Sequence, residues 1–341
     1  MKIPGDANEI LAVLTEEIHQ VQGVFRMHSF VDWQVKADTM DNPKKLFDSL
    51  WYENEVCILF SDTNLGKSSL AVQIADSITR GVPVPGFELE AETQKVVLFD
   101  FEHSTKQATM RYQNAKGDNY PFDPMFLRAE IDPYLFSDDA VKSLETEIME
   151  SIEAAIIGHD PKVVIIDNLT YLHNRSEKAE FAAPLMKHLI SLKKKHDLSM
   201  LVLSHSPKRD TSRPISNNDL VGSKMLVNFC DSCFAIGESQ NDTGIRYFKQ
   251  LKSRNSAIQY GADNVVVCQL SKEDDFLGFK FMNYSDESEF LTRMSKDDRQ
   301  ERRRQARQWA EEGVSNVEIG KRLKVSEGAI RKWRKEDGAP F

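Results

Sequence analysis

Residues 56–71, VCILFSDTNLGKSSLA, concentrate the chemistry of this chain. The apolar run 56–60 predicts a buried strand, and the spacing of Leu70, Ile74 and Ile78 predicts a helix opening near Lys67. A loop between the two turns successive backbone N–H groups toward one point at a helix N-terminus, which suits a polyphosphate. Asp62, Thr63, Asn64, Leu65 and Gly66 would form the cradle, with Ser69 completing the nucleotide-binding set. Lys67 would reach the outer phosphates, and the Ser68 hydroxyl would ligate Mg²⁺. The pattern is G-x-x-x-x-G-K-[ST] with Ser61 in place of the first glycine. If that position needs a glycine-like backbone angle, Ser61 strains the loop.

Nucleotide hydrolysis also needs a metal ligand and a group that orients water. Asp167 closes the apolar run VVIID and fits the metal. Glu102 follows the run VVLFD, where a carboxylate could polarise a water toward the terminal phosphate. Asp100 is expected within that strand, and His103 as a loop histidine.

These residues need a scaffold. Apolar runs at 96–99, 126–128, 163–166 and 198–203 alternate with helical spacings at 104–115, 138–157 and across Phe181, Leu185, Met186, Leu189 and Leu192. The alternation predicts an α/β fold, a doubly wound and mostly parallel sheet. Four later runs, 233–236, 245–251, 265–270 and 276–282, lack intervening helices, so the sheet should end antiparallel. Ile10, Val13, Leu14, Ile18 and Val21 predict an amphipathic helix over 9–25. The expected division is an N-terminal helical or extended segment (1–45), the α/β core (46–283), a linker (284–298) and a small all-α domain (299–341).

The 341 residues carry a formal charge of −9, which excludes a uniformly basic, nucleic-acid-coating surface. Locally the sign reverses: residues 296–335 hold 13 Lys/Arg against 7 Asp/Glu. Within that tail Ser315 and Glu318 read as a capping box, and Ile319, Leu323, Val325, Ile330 and Trp333 as a small core. Cys57, Cys230, Cys233 and Cys268 read as buried thiols of a reducing cytosol, since the pair Cys230/Cys233 has no second pair to complete a zinc site. No apolar run approaches 18 residues and the N-terminus is acidic, so a cytoplasmic protein with no membrane partner is expected.

The degenerate Walker A (SDTNLGKS), the glutamate one strand later (FDFEHS) and the Walker B ending in D-N (VVIIDN) resemble the RecA-like branch of P-loop ATPases. Within that branch, residues 46–283 resemble the plasmid RepA-like and DnaB-like hexameric ATPases. The resemblance implies ATP and Mg²⁺ as ligands, with Glu102 as the catalytic glutamate. It implies a polar sensor at Ser204 and His205, and a Lys252/Arg254 element (KQLKSRN) that enters a neighbour's site as an arginine finger. The resemblance to hexameric ATPases thus implies a homo-oligomeric ring, such as a hexamer. The polar stretch 207–222, with Lys208, Arg209 and Arg213, would then face single-stranded DNA. The tail resembles the helix-turn-helix of resolvase-like proteins, which points to Arg331, Lys332, Arg334 and Lys335 as DNA contacts. The expectation is a Mg²⁺-dependent ATPase acting on DNA, helicase-like or a translocase, in replication or mobilisation of a plasmid or other mobile element. The alternative is a DNA-binding transcriptional regulator or scaffold whose ATP binding controls oligomerisation.

Overall fold

The computed structural model describes residues 21–22, 25–136, 143–169, 179–207, 209–220, 223–242, 244–293, 295–323, 325 and 327–336. The chain divides into units 1–42 and 43–341. In the first, β1 (Val21–Gln22) and β2 (Phe25–Arg26) pair antiparallel. Helix α1 (Phe30–Asp38) opens on a capping box between Ser29 and Asp32. The helix expected over 9–25 lies outside the described residues up to position 20, and Val21 at its end is in the ladder instead.

The second unit begins with a hairpin, β3 (Lys45–Phe47) and β4 (Trp51–Tyr52). Then come β5 (Val56–Ser61), α2 (Lys67–Arg80), β6 (Val96–Asp100), α3 (Thr105–Arg111), β7 (Phe126–Glu130), α4 (Leu144–His159), β8 (Val163–Asp167), α5 (Ala179–His196) and β9 (Ser199–His205). Helix α6 (Ser223–Phe229) leads to β10 (Ser232–Glu238), β11 (Ile245–Lys252), β12 (Val265–Glu273) and β13 (Phe276–Ser285). One nine-stranded sheet takes the order β13-β12-β11-β10-β5-β9-β8-β6-β7. It is parallel from β10 to β7 and antiparallel from β10 to β13.

Every residue of β5, β6 and β8 is buried, because a central parallel strand has a core on each face and so reads as a continuous apolar run. Val56, Ile58 and Phe60 face the core built by α4 and α5 through Ile152, Ile156, Leu185 and Leu189. Cys57 and Leu59 face the other, built by α2 through Leu70, Ile74 and Ile78 with Trp51 and Phe87. All four cysteines are free and buried. Among the described residues no helix is long and apolar enough to cross a membrane.

The stretch 284–298 is not a free linker. β13 runs into it, and α7 (Ser288–Leu291) buries Phe290 and Leu291. Just before α7, buried Glu287 accepts hydrogen bonds from the Ile215 N–H and the Lys249 ammonium. Helices α8 (Lys296–Glu311), α9 (Asn316–Leu323) and α10 (Glu327–Glu336) then enclose a small core of Ala306, Ile319, Leu323, Val325 and Ile330.

Candidate active site

Strand register brings the chemistry together. β5 and β9 pair Ser61 with His205, and β8 and β6 pair Asp167 with Asp100. With strand order β5-β9-β8-β6, the carboxyl edge of the sheet therefore presents Ser61, His205, Asp167 and Asp100 in sequence.

Beyond Ser61 the loop turns through Asn64 (φ 63°) and Gly66 (φ 97°) into α2. No side chain caps this helix, so its first N–H groups remain open to an anion. Glycine is required at 66 twice over: the backbone is left-handed, and a Cβ would lie 2.8 Å from the Phe279 ring. Gln73 of α2 both donates to the Phe279 carbonyl (2.9 Å) and accepts from its N–H (2.8 Å), which bolts the helix to β13. Ser61 is not strained. It ends β5 and is absent from the left-handed positions, so a serine there needs no glycine-like angle.

Lys67 folds back over the loop. Its Nζ donates to the carbonyls of Ser61 (3.0 Å) and Asp62 (3.1 Å), and lies 3.1 Å from His205 Nδ1. An ammonium has no lone pair, so Nδ1 accepts and the imidazole proton sits on Nε2. That nitrogen is 3.0 Å from Glu102 Oε1, which also accepts from Asn168 Nδ2. Burial lowers the Lys67 pKa to about 8 against the pull of Asp167, Glu102 and Asp62. The His205 hydrogen bond holds Glu102 below its ordinary value.

Asp167 is 2% exposed. Burial drives its pKa up to about 6, partly offset by the Ser68 hydroxyl beside it. Burial also works against the charge of Asp100, but hydrogen bonds from His103 and from Arg128 (2.9 Å) outweigh it and leave the pKa at about 2. Ligand atoms of Asp100, His103 and Asp167 lie within 4.8 Å of one another. The carboxylates and the Ser68 hydroxyl are hard oxygen donors that fit Mg²⁺, and a cation would relieve the buried Asp167.

A cavity of about 300 Å³ joins Lys67, Ser68, Ser69, Glu102 and His205, together with Thr63, Asn64 and Gly66 of the loop. Arg111, Leu270 and Leu277 also line it. Sequence reasoning missed these three, and also Asn168. A residue nine positions after Glu102 carries no local signal, whereas Asn168 sat beside Asp167 in the motif already quoted.

Other candidates lie elsewhere. The Ser204 hydroxyl is buried and points to the β9 backbone, so only His205 of the pair meets the cavity. Arg209 is buried in an ion pair with Asp62 and is not a surface cation for DNA; Lys208 lies outside the described residues. Lys252 donates to the carbonyls of Val227, Asn228 and Cys230, and Arg254 to Asp231 (2.8 Å). Neither lines its own chain's cavity. On α10, Arg334 turns inward to Asn316 (2.8 Å), a correction to its placement as a DNA contact, while Arg331, Lys332 and Lys335 are exposed.

A largely parallel sheet whose strand β5 passes through a lysine-bearing loop into an uncapped helix defines the P-loop NTPase class. A family model described as an AAA domain matches residues 24–211, more than half of the chain, and the chain belongs to that family of P-loop ATPase domains. No curated protein matches the chain.

Proposed function

We propose that this chain is a RecA-like, Mg²⁺-dependent ATPase of the RepA-like and DnaB-like group that couples hydrolysis to DNA. The observation that carries the reading is the meeting of Lys67, Ser68, Glu102 and His205 in one cavity, with Asp167 behind Ser68. The open N–H groups of α2 would hold the inner phosphates, and Lys67 would transfer its donors from loop carbonyls to the terminal phosphate. Ser68 and Asp167 would hold Mg²⁺, which neutralises charge on the transferred phosphoryl. Glu102 would accept a proton from the attacking water, held in place by His205 Nε2–H and Asn168. Arg111, Leu270 and Leu277 would flank the base, offering it a cation and apolar surface.

Support for assembly comes from Arg254, whose side chain is 55% exposed and outside its own site, as a trans-acting finger requires. Support for DNA comes from the three C-terminal helices, a helix-turn-helix in this reading, which present Arg331, Lys332 and Lys335 on an otherwise acidic protein. Replication or mobilisation of a mobile element is the role this combination suits. The test is ATP turnover by wild type and Glu102→Gln, with and without DNA, alongside native mass. Glu102→Gln should bind Mg·ATP yet lose about 10²-fold or more in kcat, and equal turnover would remove the assignment.

A further inference from the structure

Arg209 follows β9 in a polar stretch whose composition suggests a nucleic-acid contact, yet its side chain is 7% exposed. Nε lies 3.2 Å from Asp62 Oδ2, Nη1 donates to the Arg213 carbonyl at 3.2 Å, and the guanidinium abuts the Tyr247 hydroxyl. The other carboxylate oxygen of Asp62 accepts from the Ser206 hydroxyl, and the Ser206 N–H donates to the Ser61 carbonyl at 3.0 Å. The loop that would receive phosphates is thus clasped from below by the segment leaving β9.

Charge explains why a clasp is needed. Asp62 is a carboxylate inside a loop built for anions, close enough to Lys67 to raise its pKa. Left unpaired and 26% exposed, it would repel a triphosphate. We propose that Arg209, assisted by Ser206, is a positioning residue of the nucleotide site: it neutralises Asp62 and fixes the two carbonyls that hold Lys67. This inference rests on the reading of the loop as a nucleotide site.

The test measures dissociation constants for a fluorescent N-methylanthraniloyl ATP analogue with Mg²⁺ on the full chain. The variants are Arg209→Ala, the double variant Asp62→Asn/Arg209→Ala, and Lys67→Ala as reference for loss of the site. Single-stranded oligonucleotide binding is measured in parallel. Arg209→Ala should weaken nucleotide binding about tenfold, with KM affected more than kcat. The double variant should recover to within about threefold of wild type, because the repelling charge has gone with its partner. If Arg209→Ala does not fold, Arg209→Gln, which keeps bulk and a polar tip, provides the same comparison. Unchanged nucleotide affinity in the single variant, with or without loss of oligonucleotide binding, overturns the proposal. So does a double variant weaker than the single. A wild-type chain that binds no nucleotide removes the reading of the site itself, a result separate from either.

Discussion

At the scale of single residues, His205 has two neighbours of opposite charge and a tautomer dictated by them. If it holds Glu102 for the attack on phosphate, His205→Ala should lower kcat about tenfold while nucleotide affinity changes less than threefold. Titration calorimetry and steady-state rates separate the two; equal loss in both would reduce the histidine to packing. Asp100 makes a stability prediction. Its folded pKa of about 2 is below the ordinary 3.8, so the unfolded chain binds its proton more readily. The group therefore contributes stability that is fully present above about pH 4 and is lost as pH falls through 2. Asp100→Asn should cost about 2 kcal/mol in urea unfolding at pH 7 and progressively less in acid.

At the scale of elements, the β12–β13 hairpin is the partner that shapes the phosphate loop. Leu270 and Phe279 leave no space for a Cβ at Gly66, so Gly66→Ala must displace either the loop or the hairpin. Nucleotide binding should fall about tenfold or more while thermal unfolding shifts only a few degrees, since the core strands are untouched. The antiparallel edge has its own fixed point at Gly237, over which the Tyr247 ring lies with carbon atoms 2.1–2.5 Å from where a Cβ would stand. Gly237→Ala should destabilise the chain by about 1–3 kcal/mol or more, measured by urea unfolding, because the ring is buried and cannot step aside.

At the scale of the whole molecule, Arg254 stands outside its own chain's cavity, and a trans-acting arginine would make activity a property of assembly. If Arg254 acts in trans, Arg254→Ala and Lys67→Ala chains should each be inactive alone and recover part of the turnover when mixed. Activity per chain should also rise with protein concentration. No recovery on mixing, with oligomers present by native mass, would return Arg254 to its ion pair with Asp231 as its whole role. If the tail is the DNA contact, its affinity for duplex DNA should fall as salt rises, with a slope set by the few phosphates that Arg331, Lys332 and Lys335 neutralise, and substituting any one of them should make that slope shallower.

What the amino-acid sequence determined by itself is what local pattern can encode. The strands of the sheet centre were legible because burial on both faces demands unbroken apolar runs such as VVIID. Helix α2 was legible from Leu70, Ile74 and Ile78, and the loop from a glycine, lysine and serine at one helix start. The small C-terminal core was legible for the same reason, as a spacing of Ile319, Leu323 and Ile330. Partnerships across long loops were not legible. Arg209 looks like a surface cation until β9 settles beside β5 and delivers it to Asp62, 147 positions away in the chain. Ser61 looks strained until its place as the last residue of a strand is known, and Ser204 looks functional until alternation turns it inward beside His205. Only the tertiary structure decides which charge meets which, because that depends on strand order and register, whereas hydrophobic period is a property of neighbours along the chain.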